Sequence, residues 1–352
     1  MRIAVGLSGG VDSAVAALIL RRAGHDVVGV TMKLWREGRY AGGDFDACFG
    51  PGEEKNVAEA AAFASSLGIP YETFDCADEY EQEVIRYFRE ERAAGRTPNP
   101  CVVCNRRMKF GLLPRLAAER LGFDRFATGH YARLCERGGR FALSRAAHGA
   151  KDQSYFLWGL SQEQLSRAMF PLGDLQKGDV RRIAREAGLP MAEKADSQDF
   201  YSGDPDELLG LAPREGTIVD LSGRVLARHD GYWHFTIGQR KGLGFAAGEP
   251  MYVCEIDACR NRVVVGRRDE AVSHEFRVDP ATVNWVSMAP TDAPVECRVK
   301  VRSAGEPIGP VVYSNGTVKS EGGVFGVAPG QSAVFYGLDS DALLFGAVIC
   351  KD

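Results

Sequence analysis

The chain has 352 residues, of which 45% are hydrophobic and 26% charged, as in folded globular proteins rather than disordered ones. It has no run of about 18 apolar residues that would span a membrane and no apolar stretch of a secretory signal near its N-terminus, so we expect a cytoplasmic protein without a membrane anchor. The 43 basic and 47 acidic residues leave a formal net charge of −4, which gives no overall signature of nucleic-acid binding.

In the first two hundred residues, short apolar runs alternate with segments of helical periodicity. The predicted strands are residues 3–6, 26–34, 71–76 and 126–128, and the predicted helices are residues 11–22, 53–67, 79–92 and 115–121. Repetition of strand, crossover helix and strand predicts an open parallel sheet. Ligands of such sheets bind beyond the carboxyl ends of the strands.

The second part of the chain has a different pattern. A Gly-, Pro- and Asp-rich stretch at residues 202–213 indicates a boundary, and short β-branched runs separated by turn residues follow it. We therefore predict three domains: an α/β catalytic domain at 1–203, a small β-rich domain at 204–275 and a C-terminal β-barrel at 276–352.

A glycine-rich loop lies between the first predicted strand and the first predicted helix. This phosphate loop consists of Gly6, Leu7, Ser8, Gly9, Gly10, Val11, Asp12 and Ser13. Glycines let backbone N–H groups approach phosphate, and the helix N-terminus favours an anion. The loop has neither the GxGxxG pattern nor the lysine of a GxxxxGK[ST] loop. The alternative to a phosphate site is an ordinary strand-to-helix turn in which Ser13 caps the helix.

The Ser-Gly-Gly-x-Asp-Ser form at residues 8–13 resembles the PP-loop of ATP pyrophosphatases. That resemblance implies attack of a substrate oxygen on the α-phosphorus of ATP, with release of pyrophosphate. Mg²⁺ is then expected to neutralise the leaving group. Asp12 is counted both in this loop and among the predicted catalytic residues.

A CxxC motif, Cys101 and Cys104, follows two prolines inside a basic run. Between residues 92 and 118 there are six basic side chains and no acidic one, which favours a phosphate-facing patch as much as a solvated face. We expect the motif to lie on a stiff loop, where neighbouring cations favour the thiolate. Half of a structural zinc site and a thioredoxin-like pair are the alternatives, although the chain has no second CxxC motif.

Two further segments carry polar residues where a strand is predicted to end or a loop to begin. Gly129 and His130 follow the predicted strand 126–128, and Lys151 to Phe156 form a polar-aromatic stretch. Gly129 would permit close approach of a nucleotide. Taken alone, His130 is more typical of a structural histidine, and Lys151 with Asp152 of a surface pair.

Along nearly its whole length, the chain resembles the family of tRNA-specific 2-thiouridylases. The matching segments include residues 8–13 (SGGVDS), 32–35 (MKLW), 95–100 (GRTPNP), 127–131 (ATGHY), 151–156 (KDQSYF), 236–244 (TIGQRKGLG) and 329–336 (PGQSAVFY). The resemblance implies a PP-loop domain of the adenine nucleotide alpha hydrolase type, followed by two β modules that position the anticodon stem-loop of tRNA. It also implies adenylation of the C2 oxygen of a flipped wobble uridine and its replacement by sulfur.

The resemblance also implies roles for individual residues. The phosphate loop would hold ATP together with Met32 and Gly129, and Cys104 matches the first catalytic cysteine. The residues implied to border the target base are Asn99, Pro100 and Cys101, and those implied to contact tRNA elsewhere are His130, Lys151, Asp152, Gln153, Arg302 and Gln331. The sulfur would come from a delivery protein or from free sulfide.

Two positions depart from the family pattern. Tyr201 stands where members commonly have a second catalytic cysteine, and Cys101 stands where many have an aspartate. Cys101 and Cys104 could then act as a local thiol pair. Alternatively Cys48, Cys101 and Cys104 could hold a four-iron–four-sulfur cluster, although Cys48 also suits a small buried apolar position. The third account is a paralogue that has lost thiolation.

Two other functions compete with tRNA thiolation. One is a different adenylating PP-loop ligase that acts on a small metabolite, which would leave the two β modules without a use. The other is a tRNA-binding protein without catalysis, which Tyr201 favours and the intact phosphate loop opposes.

Overall fold

An α/β domain comes first in the computed structural model, which describes residues 1–43, 47–196, 199–246 and 248–351. Its strands are β1 (Arg2–Gly6), β2 (Asp26–Lys33), β3 (Ala47–Phe49), β4 (Tyr71–Asp75), β5 (Arg125–Ala127), β6 (Ala132–Arg137), β7 (Arg140–Arg145), β8 (Ala168–Met169) and β9 (Asp199–Tyr201). Its helices are α1 (Val11–Arg22), α2 (Glu53–Ser66), α3 (Ala77–Tyr80), α4 (Arg86–Ala93), α5 (Pro100–Val103), α6 (Leu113–Leu121), α7 (Gln162–Arg167), α8 (Lys177–Glu186) and α9 (Pro205–Leu209).

Five of these strands form the predicted parallel sheet, in the order β4-β2-β1-β5-β8. The central strand β1 has Ile3, Ala4 and Val5 fully buried, as expected for a strand covered on both faces. Register pairs Gly6 with Val30 and Val5 with Ala127, so β1, β2 and β5 end at the same edge. The segments that follow these strands therefore meet there.

Two helical stretches pass through π-helical turns. One runs from α3 through Glu81–Ile85 into α4, and the other runs from α5 through Cys104–Leu112 into α6. The second, Pro100 to Leu121, is named the cysteine helix below. The predicted stiff loop around the CxxC motif was therefore wrong. Pro100 is tolerated in the first turn, because its missing N–H would have no helical partner there and its φ suits a helix.

Two β-rich units follow. The four strands of the second unit, ordered β11-β10-β13-β12, are β10 (Gly216–Asp220), β11 (Val225–His229), β12 (Tyr252–Asp257) and β13 (Arg262–Gly266). The third unit contains β14 (Val272–Arg277), β15 (Asn284–Trp285), β16 (Val295–Lys300), β17 (Ile308–Ser314), β18 (Thr317–Phe325), β19 (Ser332–Tyr336) and β20 (Leu343–Val348), ordered β14-β18-β17-β16-β19-β20-β15. The boundary predicted between residues 275 and 276 falls inside β14, so we propose a boundary just before Val272.

The three units contact one another next to the cysteine helix. The Tyr232 hydroxyl of the second unit donates to the Ala93 carbonyl at the end of α4, at 2.6 Å. Thr97 donates its backbone N–H to the Pro329 carbonyl of the third unit, at 2.8 Å. The β modules therefore touch the segment that leads into the CxxC motif. Within the described ranges, no helix is long and apolar enough to cross a membrane.

Candidate active site

The phosphate loop joins β1 to α1 and is held by its own serines. The Ser13 hydroxyl accepts the Ser8 backbone N–H and donates to the Gly10 carbonyl, both at 3.1 Å. α1 has no side-chain cap at its N-terminus, which leaves the first N–H groups of the helix for an anion. These hydrogen bonds do not fit the alternative of an ordinary turn in which Ser13 caps α1.

Gly9 is the loop position at which only glycine fits. Its φ is +73°, in the left-handed region. A Cβ there would also lie 2.5 Å from the backbone oxygen of Asn56 in α2. Backbone conformation and close packing both require glycine at this point.

Gly129 brings the end of β5 against the start of α1. A Cβ on Gly129 would lie 2.7 Å from the backbone nitrogen of Ser13 and equally close to the carbonyl carbon of Asp12. Met32 lies near the end of β2, which neighbours β1. Both residues predicted to support ATP therefore lie at the carboxyl edge of the sheet, beside the phosphate loop.

Asp12 lies in an ionic network that we did not predict from the sequence. Its carboxylate accepts hydrogen bonds from the Tyr131 hydroxyl, at 2.8 Å, and from Lys177 Nζ, at 2.7 and 2.8 Å. Lys177 also donates to Asp196, at 2.7 Å, and Asp196 in turn pairs with Lys151, at 2.7 Å. The only sequence signal was indirect, because a phosphate loop without a lysine needs a cation from another part of the chain.

The two cysteines of the motif lie three residues apart, so they share one face of the cysteine helix. Cys104 is only 9% exposed, and burial raises the pKa of its thiol to about 11, against the effect of Lys109. The expectation that the basic run favours the thiolate was therefore wrong for Cys104. Arg106 and Arg107 point to solvent instead of toward the thiols.

Cys48, Cys101 and Cys104 share a single neighbourhood. Burial and then the three cysteines raise the pKa of Tyr80. Burial disfavours charge on Lys109, yet the same cysteines outweigh it and raise the pKa of the ammonium. Cys48 is exposed and lies on β3, which pairs with β9, so it does not fill the small buried apolar position that was its alternative. The three cysteines predicted as cluster ligands thus all lie within electrostatic range of Tyr80 and Lys109.

His130 joins the phosphate loop to the cysteine helix. It follows Gly129, and its ring centroid lies 5.9 Å from that of Phe110 on the cysteine helix. Burial and the Lys109 ammonium lower the pKa of His130 to about 3, so the imidazole is neutral. The phosphate loop and the thiols therefore lie on neighbouring parts of the same sheet edge.

Family models match three successive parts of the chain. They are described as the tRNA methyl transferase HUP domain at residues 1–201, the tRNA methyl transferase PRC-barrel domain at 209–267 and the aminomethyltransferase beta-barrel domain at 273–349. The tRNA-specific 2-thiouridylase MnmA of Trichormus variabilis is 43% identical over 360 residues, covering 99% of this chain and 98% of that protein. The chain belongs to the tRNA-specific 2-thiouridylase family.

Further relatives agree with this assignment. The tRNA-specific 2-thiouridylase MnmA of Endomicrobium trichonymphae is 43% identical and covers 99% of both chains. Among solved structures, a 4-thiouridine synthetase–RNA complex with bound ATP covers 59% of this chain and 45% of that chain, at 16% identity and a TM-score of 0.39. That structural likeness is too weak to carry an inference.

The positions predicted to contact tRNA fall into two groups in the structure. In the first group, Lys151 is exposed, whereas the Asp152 side chain is completely buried. Asp152 pairs with Arg145 and accepts the backbone N–H groups of Ala146 and Ser154, so its carboxylate orders the loop instead of facing RNA. The structure therefore does not support the tRNA contact predicted for Asp152. The side-chain oxygen of Gln153 accepts the backbone N–H of Tyr131, at 2.9 Å.

The second group connects the third unit to the other two. Gln331 donates to the Pro98 carbonyl at 3.0 Å, immediately before Asn99 and Pro100, whereas Arg302 donates to the Ile237 carbonyl at 2.8 Å. Asn99 is buried and donates its backbone N–H to the Tyr87 hydroxyl, at 3.1 Å. Gln331 therefore supports the segment expected to border the target base.

The predicted basic patch is largely neutralised by its neighbours. Arg96, Arg107 and Arg115 pair with glutamates, at 2.7, 3.9 and 3.4 Å. Arg92 donates to the Phe235 carbonyl, and Lys109 faces the cysteines. The basic run therefore does not form one phosphate-facing surface.

Tyr201, which stands where the resemblance implies a second catalytic cysteine, has a structural role. It is buried, and its ring centroid lies 5.8 Å from that of Phe49 on the paired strand β3. Its hydroxyl donates to Glu207 and accepts the Gly42 backbone N–H, at 3.3 Å for the latter. Tyr201 therefore ties β9 to α9 and to the segment before β3.

Proposed function

We propose that the chain is an ATP-dependent tRNA-uridine 2-sulfurtransferase that adenylates the C2 oxygen of the wobble uridine and replaces it with sulfur. The observation that carries this proposal is that Gly129 packs against the phosphate loop while the next residue, His130, packs against Phe110 of the helix that carries the two thiols. Identity of 43% over the full length to named tRNA-specific 2-thiouridylases supports it. Methyl transfer, which two family-model descriptions mention, would use neither feature.

The reaction follows from these two halves of the site. The C2 oxygen attacks the α-phosphorus, the bond to pyrophosphate breaks, and the loop N–H groups of residues 8–13 hold the leaving anion. A sulfur nucleophile then adds at C2, and AMP leaves with the former carbonyl oxygen. A stacked base does not expose C2, so the uridine must be flipped toward Asn99 and Pro100.

The residues around Asp12 fit magnesium. Carboxylate oxygens of Asp12 and Asp196 both lie within 2.8 Å of the Lys177 nitrogen, so two hard donors converge on one cationic position. Mg²⁺ is typically bound by one or two carboxylates together with substrate phosphates. We infer that Asp12 and Asp196 hold Mg²⁺, which would neutralise charge on the leaving pyrophosphate.

The group that carries the transferable sulfur is a separate question from the overall reaction. Among the described residues, no three His, Cys, Asp or Glu side chains are grouped closely enough to hold a single metal ion. A four-iron–four-sulfur cluster binds each cysteine through a different iron, so its ligands stand farther apart. Cys48, Cys101 and Cys104 each interact electrostatically with Tyr80 and with Lys109, so the three thiols lie in one region of the α/β domain. We propose that they hold such a cluster, which would supply a site for transferable sulfur.

A thiol pair without iron is the alternative, and Cys48 distinguishes the two. We expect anaerobically purified protein to contain iron and to absorb broadly near 400 nm, a value on the order of those typical for such clusters. Cys48→Ala should lose both the iron and the absorption, whereas Cys135→Ala, at an exposed position on β6, should keep them. An iron-free protein that still thiolates tRNA would refute the cluster.

The overall function is tested by its product. Purified protein, ATP, Mg²⁺, a sulfide source and unmodified tRNA should yield 2-thiouridine, detected after digestion by mass spectrometry. ATP–pyrophosphate exchange should appear only when tRNA is added. Exchange with a small acid in place of tRNA would favour another adenylating ligase, and its absence under all conditions would favour a protein without catalysis.

A further inference from the structure

A buried lysine from outside the phosphate loop points at the loop's aspartate. Lys177 is the first residue of α8, about 165 positions after the loop, and its side chain is 10% exposed. Its Nζ donates to both carboxylate oxygens of Asp12, at 2.7 and 2.8 Å. The loop itself contains no lysine. A cation is therefore brought to the loop from a distant helix.

The surroundings hold this ammonium in one place. Asp196 accepts a third hydrogen bond from Nζ, at 2.7 Å, and the nitrogen lies 5.7 Å from the centroid of the Tyr131 ring. The Tyr131 hydroxyl in turn donates to Asp12, at 2.8 Å. The backbone N–H of Lys177 donates to the His148 ring, at 3.2 Å. The position of the charge is thus set before any nucleotide binds.

The ion pair between Lys177 and Asp12 affects the charge that the phosphate loop presents to ATP. A phosphate loop that carries Asp12 would repel the polyanionic tail of ATP unless a cation neutralised the carboxylate. In loops of the GxxxxGK[ST] type, a lysine within the motif reaches the terminal phosphates. Lys177 lies where it can neutralise Asp12 and also reach the terminal phosphates, because Asp12 is part of the loop that would hold them.

We propose that Lys177 binds the β,γ-pyrophosphate of ATP and replaces the lysine that the phosphate loop lacks. This rests on the proposed function, since it concerns the same nucleotide. In the nucleotide-free protein, Asp12 and Asp196 hold the ammonium in position. When ATP binds, Lys177 turns hydrogen bonds from these carboxylates to the phosphate oxygens, and the carboxylates are released for Mg²⁺.

The test compares ligands with and without the pyrophosphate group. Calorimetry without tRNA, so that ATP is not consumed, would measure the affinities of Mg²⁺–ATP, Mg²⁺–pyrophosphate and AMP for the wild type, Lys177→Gln and Lys177→Arg. We expect Lys177→Gln to weaken ATP and pyrophosphate by about tenfold to hundredfold, as for a lost hydrogen bond between charged groups. AMP affinity should stay within about twofold, and Lys177→Arg should restore most of the loss.

A matched control lies on the same helix. Arg182 is an exposed cation of α8 that pairs with Asp179 and Glu186, so Arg182→Gln should keep all three affinities. If Lys177→Gln folds poorly because two carboxylates lose their partner, the wild-type protein repeats the test: the ammonium ¹⁵N NMR resonance of Lys177 should shift when Mg²⁺–pyrophosphate is added and stay in place when AMP is added.

Two results would overturn the proposal. Unchanged affinity for ATP and pyrophosphate in folded Lys177→Gln would exclude a contact with the phosphates. An equal loss of affinity for AMP and ATP would mean that Lys177 only supports the structure of the loop. Failure of the proposed function looks different: the wild type would bind ATP through Lys177, yet tRNA would gain no sulfur.

Discussion

The phosphate loop and the cysteine helix meet at the same sheet edge but depend on different physics. The loop acts through backbone N–H groups in a local conformation, which glycines at fixed positions make accessible. The cysteine helix acts through side chains whose chemistry depends on burial, so Cys104 is a protonated thiol despite the surrounding basic sequence. The function of a motif that acts through its backbone can be predicted from the neighbouring sequence. The function of a motif that acts through titratable side chains cannot, because it depends on burial in the folded protein.

The largest expected effect comes from the cysteine helix. Cys104→Ala should abolish 2-thiouridine formation, because it removes the buried thiol beside Lys109 that matches the first catalytic cysteine. ATP binding should remain, since the phosphate loop is untouched. Thionucleoside analysis and calorimetry would measure the two properties separately. Thiolation by Cys104→Ala at the wild-type rate would show that the nucleophile has been misplaced.

The next effect comes from the phosphate loop, where Gly9→Ala should reduce ATP affinity by about tenfold or more, an order-of-magnitude figure for a displaced anion site. The added Cβ would meet the backbone oxygen of Asn56 at 2.5 Å, which forces the loop to move. Gly24→Ala is the matched control, because its φ is also positive, +82°, but nothing lies within 4 Å of the new Cβ. It should lose about 1 kcal/mol of stability and keep its ATP affinity. Equal ATP affinities for the two variants would show that close packing at Gly9 is not needed for ATP binding.

A smaller effect tests His130, which joins the two regions. Its pKa is lowered to about 3 by burial and by Lys109, from an ordinary value of 6.5. The unfolded chain therefore binds a proton that the native state does not, and stability is lost as pH falls from 6.5 toward 3. His130→Asn should flatten the fall in unfolding free energy by up to about 1.4 kcal/mol per pH unit. Chemical denaturation between pH 4.5 and 7 measures it, and identical slopes would contradict it.

The smallest effect concerns Tyr201. Tyr201→Phe should lower the free energy of unfolding by about 1 kcal/mol, because the Gly42 N–H and Glu207 lose a partner. Thiolation should continue at the wild-type rate if sulfur is carried elsewhere. A loss of thiolation with unchanged stability would instead give the Tyr201 hydroxyl a part in the reaction.

Much of the α/β domain could be predicted from the sequence. The helix predicted at residues 11–22 matches α1, and the strands predicted at 3–6, 26–34 and 71–76 lie in β1, β2 and β4 to within one residue. These elements have strong periodicity and clear turn residues at their ends. The start of the cysteine helix was missed because prolines before the motif suggested a loop, although proline is also favoured in the first turn of a helix.

The candidate site also contains residues that could be predicted from the sequence and residues that could not. The phosphate loop, Gly129 and the CxxC motif follow from residues that are adjacent in the chain. Lys177 was missed because nothing local distinguishes it from other lysines. The burial of the Asp152 side chain was missed because it depends on Arg145, seven residues away on β7. The role of Tyr201 likewise depends on Glu207 and Gly42, which approach it only in the folded chain.

The sequence by itself determined the parallel sheet and the phosphate loop, because these depend on local backbone preference and spacing. It also gave the three-residue spacing of the two cysteines, but not the helix that carries them. Only the tertiary structure decided which charges are paired, which thiol is buried and which distant lysine reaches Asp12. The reason is that electrostatic energies depend on distance and on exclusion of water. Both are set when segments far apart in the chain pack against each other.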